Sequence, residues 1–291
     1  MSIPAILKVL GVFPSFALIA IVAVLAEVSV DFLMRFTQAG ETTTYSGVMK
    51  EAFGPAGALA AQVCVIVTNF GGLILFLIII ADVLSGKKGG DEVHLGILQQ
   101  WFGIHWWNSR EVALLITLVL VMLPLVLYKS VVRLAIMFCA VIYFTIGLFG
   151  YLLFGDSTQS DILINFDQSA GSAVGSLFNG LIRVSYALHV MLVFPIVNFS
   201  LRNNIDELIF PEKPLLVTDN KRFVILSLVI LVFSYLAAIA IPDIWYFFQF
   251  LGSTTALSLA FIFPGAIVLR QFYWGSWGME GEIILFKGIV V

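Results

Sequence analysis

Hydrophobic residues in this chain gather into long uncharged blocks, and the charged residues fall between the blocks. Seven blocks stand out, at residues 9–26, 52–81, 112–128, 134–155, 184–201, 223–242 and 244–269. A helix rises about 1.5 Å per residue, so about 20 apolar residues cross the hydrocarbon core of a bilayer. Runs of this length do not alternate as strands do, and lipid offers no partner for an unpaired backbone group, so the spans are helices. The first helix runs on beyond Glu27 towards Arg35, because Val28, Val30, Phe32, Leu33 and Met34 keep the segment apolar. The predicted fold is an all-α, polytopic transmembrane bundle of about seven spanning helices.

Composition narrows the function classes. Sixty per cent of the 291 residues are apolar and 11% are charged, whereas soluble globular chains carry about 25% charged residues. Mean hydropathy is +1.05. A cytosolic enzyme, a disordered protein and a nucleic-acid binder are excluded. Fifteen Lys and Arg against 18 Asp and Glu leave a formal charge of −3, with no basic field for phosphate backbones. Cys64 and Cys139 both lie in apolar runs, so a disulfide framework is not expected. The first run has no basic segment ahead of it and ends in Glu27, unlike a cleavable signal peptide.

Loop charges predict the orientation. With the segment after Arg35 facing the cytoplasm, that side collects Arg35, Lys50, Lys129, Arg133, Arg202, Lys213, Lys221, Arg222, Arg270 and Lys287. The other side holds Lys8, Lys87, Lys88 and Arg110. On that side, the 85–110 loop carries Trp101, Phe102, Trp106 and Trp107, aromatics suited to the headgroup level or, less simply, to ligand stacking.

Polar residues inside spans are expensive and call for a role. Glu27, Asp31 and Arg35 recur every four residues on one helix face, as a proton relay or as an ion-pair ladder ending in a snorkelling arginine. Asn69, beside Gly71 and Gly72, suits either a substrate pathway or a hydrogen bond to a neighbouring helix. Ser185 and His189 share a face, with Tyr186 beside them and Pro195 one to two turns on. A histidine there acts as proton carrier or as helix–helix glue. Residues 252–255 (Gly-Ser-Thr-Thr) suit close helix approach.

His94 and His105 have no second ligand at metal spacing, and there is no phosphate loop, dinucleotide fingerprint or Ser/His/Asp set. The expected chemistry is solvation and protonation of a solute crossing the membrane. No catalytic residues, metal or cofactor are expected.

Several segments resemble the amino acid/auxin permease family. They are residues 1–11 (MSIPAILKVLG), 25–35 (LAEVSVDFLMR), 43–54 (TTYSGVMKEAFG), 142–155 (IYFTIGLFGYLLFG), 237–252 (AAIAIPDIWYFFQFLG) and 261–270 (FIFPGAIVLR). The likeness is to plant vacuolar-type amino acid transporters, which are similar to the sodium-coupled neutral amino acid transporters of animals. It implies eleven helices, the first ten in two inverted five-helix repeats, with substrate held at the midplane where the first helix of each repeat is broken. It also implies a neutral amino acid as substrate, H+ or Na+ as coupling ion, and an endomembrane (vacuole or endoplasmic reticulum) ahead of the plasma membrane.

The chain departs from that pattern. Its start resembles only the outer half of family helix 1, residue 129 leads directly into what resembles family helix 7, and residues 271–291 do not resemble the last helix. The seven blocks then match family helices 2, 3, 4, 7, 8, 9 and 10. Residues 1–270 form an incomplete transporter domain, 1–130 from repeat one and 131–270 from repeat two. Asn69, Ser185, Tyr186 and His189 remain as candidates for the substrate or ion pathway. Two readings follow: a truncated transporter, or a non-transporting membrane partner of a full-length relative. A seven-helix receptor fits less well, since no extracellular cysteine pair is available.

The orientation is directly testable. An epitope placed between Phe210 and Lys213 is expected to be reached by antibody only after the cytoplasmic face is opened.

Overall fold

The computed structural model describes residues 12–40, 42, 44–89, 92–94, 96–128, 173–211, 213–214, 216–241 and 244–274. Helix α1 spans Val12–Ala39, α2 Tyr45–Ser85, α3 Ile97–Phe102, α4 Arg110–Leu127, α5 Ala173–Ile209, α6 Asn220–Ala240, α7 Ile244–Leu251 and α8 Phe263–Trp274. Among the described residues, five helical stretches are long and apolar enough to cross a membrane: Tyr45–Ser85, Arg110–Leu127, Val184–Ile209, Asn220–Ala240 and Phe247–Arg270. They carry the second, third, fifth, sixth and seventh blocks. The first block lies largely in α1, and the block at 134–155 falls outside the described residues.

Local chemistry sets the helix ends. The Thr44 hydroxyl accepts a hydrogen bond from the Gly47 amide at 3.1 Å and so caps the start of α2. Gly86, at φ +75°, closes its end. Asp219 caps α6 by accepting from the Arg222 amide at 3.2 Å.

Two prolines shape the long helices. Proline cannot donate a backbone hydrogen bond, and its ring presses on the carbonyl four residues back. Pro124 would press on residue 120, and the helix widens into a π turn over Leu118–Met122. Pro264 would press on residue 260, which lies in the π turn Ser258–Ile262. A further π turn covers Gly252–Ala256, so the small-residue stretch at 252–255 is a widened helix.

The loop after α2 departs from expectation. It opens with an antiparallel hairpin of β1, Lys87–Gly89, and β2, Glu92–His94. The reading of the 85–110 loop, which turned on its aromatic residues, did not include a hairpin. Beyond the hairpin, Asn108 is fully buried: its Oδ1 accepts from the His105 amide at 2.9 Å and its Nδ2 donates to the Gly103 carbonyl at 2.6 Å. This knot leaves Trp101, Phe102 and Trp106 exposed, as an interfacial anchor requires.

The chain divides into two compact units, Met1–Val65 with Gly252–Val291, and Ile66–Leu251. In the first, Phe36, Val48, Met49, Ala52, Ala61 and Ile267 form the core. The Tyr45 hydroxyl donates to the Leu259 carbonyl at 2.8 Å, within the π turn, and Arg270 sits 5.1 Å over the Phe53 ring. In the second, α4, α5, α6 and the later part of α2 enclose a larger core that includes Leu73, Leu77, Leu114, Met122, Phe194, Leu201 and Leu231. Outward positions such as Leu120, Ile225, Val232, Phe233 and Leu236 are exposed and apolar, a pattern lipid accepts and water does not.

α2 breaks sharply at Gly54, where φ is 70° and ψ −162°, ahead of Pro55. Only glycine occupies that region without strain. A Cβ there meets nothing within 4 Å, so the cost of a larger residue is purely conformational. Gly54→Ala is expected to lower stability by about 1–3 kcal/mol, read as a reduced unfolding midpoint in detergent.

Candidate functional site

The residues singled out from sequence are divided between the two units, with Glu27, Asp31 and Arg35 in the first and Asn69, Ser185, Tyr186 and His189 in the second. Asp31 and Arg35 pair on the exposed face of α1 at 2.8 Å, with Glu27 exposed one turn earlier. Asn69, on α2, donates from Nδ2 to the Ser200 hydroxyl of α5 at 3.0 Å, so it ties two helices together. Ser185, Tyr186 and His189 are half-buried on α5, with Tyr186 packed against the core of the second unit. His189 and Ser200 are eleven residues apart, so about 16 Å of helix separates His189 from the contact of Asn69. These candidates mark two levels of one helix.

Polar chemistry concentrates lower on α5, where three residues recur every four positions: Asn198, Arg202 and Asp206. All three are buried. The facing side of α6 buries Arg222, Ser227 and Ser234. Arg202 Nη1 donates to the Ser227 hydroxyl at 2.8 Å, and the guanidinium lies 3.8 Å over the Phe223 ring. Ser227 in turn donates to the Phe223 carbonyl at 2.7 Å. The same Arg202 nitrogen lies 3.5 Å from the Val126 carbonyl, at the end of α4.

Arg222 Nε sits 3.2 Å from Asp206 Oδ1, and its Nη2 donates to the Pro214 carbonyl. These contacts zip α5 to α6 in antiparallel register. At the opposite end of the same unit, Arg110 pairs with Asp82, and the Tyr235 hydroxyl donates to the Glu111 carbonyl at 3.1 Å.

The seam corrects the loop assignment of two arginines. Arg202 and Arg222 are only 4% and 7% exposed, inside α5 and α6. A run that is bounded by a charge in the sequence continues through it when the charge is folded inward. The signal was present in the four-residue spacing of Asn198, Arg202 and Asp206. It was overlooked because arginine next to an apolar run reads as a loop residue. Without these two arginines, the loop bias is eight against four and keeps its direction.

Several seam atoms are buried without a hydrogen-bond partner: both polar atoms of Asn198, the Ser234 hydroxyl, Arg202 Nε and Arg222 Nη1. Such groups fit a polar ligand or water and do not fit a purely apolar packing role. Among the described residues, no three His, Cys, Asp or Glu side chains gather as a metal would require.

Breaking a buried ion pair leaves an uncompensated charge and costs about 3–5 kcal/mol, whereas replacing both partners by apolar groups is far milder. Asp206→Ala is expected to lower the unfolding free energy by about that amount. The double variant Asp206→Leu/Arg222→Met is expected to recover most of the loss, measured by denaturant unfolding in detergent.

The profile of the family described as "Transmembrane amino acid transporter protein" matches residues 1–131 and 124–285. Amino acid transporter AVT6C of Arabidopsis thaliana is 45% identical over 365 residues, covering 96% of this chain and 84% of that protein. Amino acid transporter AVT6D of the same plant is 46% identical over 357 residues, covering 93% and 81%. Sodium-coupled neutral amino acid transporter 4 of Mus musculus is 31% identical over 142 residues, covering 49% and 25%. No solved structure matches. With a helical bundle whose apolar faces turn outward and whose buried seam is polar, and with a family match along nearly its whole length, this chain belongs to the transmembrane amino acid transporter family.

Proposed function

We propose that this chain serves the transmembrane movement of neutral amino acids in an endomembrane, coupled to a proton or sodium gradient, and that alone it moves them slowly or not at all. The observation that carries the first part is the family match over residues 1–131 and 124–285, joined to relatives that are named amino acid transporters. Neutral substrates and a sodium gradient are supported by the name of the mouse relative, which aligns with about half of the chain.

Weak transport is supported by length. The alignment with AVT6C runs over 365 positions and takes in 96% of the 291 residues of this chain, so at least 74 of those positions have no counterpart here. Seventy-four positions are enough for two spans and a loop. The two family matches overlap at 124–131, at the end of α4, which supports placing such a stretch there. The same observation supports a second reading, a non-transporting partner of a full-length relative, in which the relative would supply the helices this chain lacks.

Reconstitution into liposomes tests both. Uptake of radiolabelled glutamine and alanine is measured under a sodium gradient, a pH gradient and neither, beside a full-length relative. The expected result is gradient-dependent uptake by the relative and at least tenfold slower uptake by this chain. Uptake by this chain at the rate of the relative contradicts the weak-transport reading. Co-purification of the two chains from detergent favours the partner reading, and separate elution removes it.

A further inference from the structure

The α5–α6 seam holds more hydrogen-bond donors than acceptors and more positive than negative charge. Among the described residues it buries two guanidinium groups, Arg202 and Arg222, and one carboxylate, Asp206, which pairs with Arg222. The nearby Asp219 carboxylate caps α6 through the Arg222 amide. Glu207, Lys213 and Lys221 are exposed, where water screens them. Arg202 has a hydroxyl, a carbonyl and an aromatic ring as its partners, all of them uncharged.

The donors without partners are Arg202 Nε, Arg222 Nη1 and Asn198 Nδ2, with the Ser234 hydroxyl able to donate as well. Against them stand two acceptors, Asn198 Oδ1 and Asp206 Oδ1, and the latter already faces Arg222. Asn198 is 0% exposed and precedes Arg202 by one turn on the same face of α5. A surplus cation in a protein interior costs several kcal/mol unless a counter-charge joins it.

We propose that Arg202 and Asn198 form a binding site for one small monovalent anion, supplied either as chloride or as the carboxylate of an amino acid. The guanidinium provides the charge and Nε–H. The Asn198 amide provides a second N–H, and neutralising Arg202 removes the surplus charge from the seam. A ligand that binds the folded chain alone raises its stability by mass action, so the site is readable without transport. The chloride form of the site stands whether or not this chain moves amino acids, and the carboxylate form rests on the transport reading.

The experiment is a thermal unfolding titration of the purified full chain in detergent at constant sodium and ionic strength. Chloride is exchanged for gluconate in one arm. In the other, L-alanine or L-alaninamide is added in gluconate. The expected result is a saturable rise in the unfolding midpoint of roughly 5 °C with chloride, or with L-alanine and not L-alaninamide. The arm that responds names the source of the anion. Arg202→Gln and Asn198→Leu are expected to abolish the rise, and Arg202→Lys to keep it with at least a tenfold higher half-maximal concentration. Should Arg202→Gln fail to fold, Asn198→Leu carries the test, because it exchanges an unpartnered amide for an apolar group of similar size. An unfolding midpoint in the wild-type chain indifferent to both arms overturns the proposal, as does an unchanged response in Asn198→Leu.

Discussion

Lipid supplies no hydrogen bonds, and every backbone polar group that enters the bilayer must find its partner within the protein. That constraint explains the long helices, whose backbones satisfy themselves, and the outward apolar faces of α1, α4 and α6. It also explains why the polar side chains of the second unit lie between helices. Asn69 reaches Ser200, Arg202 reaches Ser227, and Arg222 reaches Asp206. In water such contacts compete with solvent and contribute little. Between helices they determine which faces meet and at what register.

The helices are not uniform rods, and their irregularities have local causes. Gly54 with Pro55 breaks α2, and Pro124 and Pro264 each follow a π turn that takes up the displaced carbonyl. Where a turn is widened, a carbonyl becomes free to accept from outside its own helix. The Tyr45 hydroxyl uses the Leu259 carbonyl in this way. Close packing elsewhere depends on missing side chains: a Cβ on Gly71 would collide with Leu251.

Much of the fold was legible in the sequence because block length and the absence of charge are one-dimensional properties. The second, third, fifth, sixth and seventh blocks each appear as a helix. The hairpin of Lys87–Gly89 and Glu92–His94 was missed, since two three-residue strands in a short polar stretch leave little pattern to read. The polar seam was missed for a deeper reason. Whether Arg202 faces water or a neighbouring helix depends on where α6 packs, and that is a three-dimensional fact. The local clue, Asn198, Arg202 and Asp206 at four-residue spacing, has meaning only once those positions are known to be helical beyond the apolar run. The same limit applies to Asn69 and His189, whose residue types suggested one pathway, while Asn69 of α2 meets α5 at Ser200, eleven residues beyond His189.

The central claim is that α5 and α6 remain helical and packed through their charged ends, with Arg202 and Arg222 inside the bundle. Hydrogen exchange of the full chain in lipid nanodiscs measures this most directly, read at the amides of residues 198–209 and 222–234. The account predicts protection there comparable to the apolar stretch 73–81. Exchange within seconds at 198–209, as in a solvated loop, would contradict it.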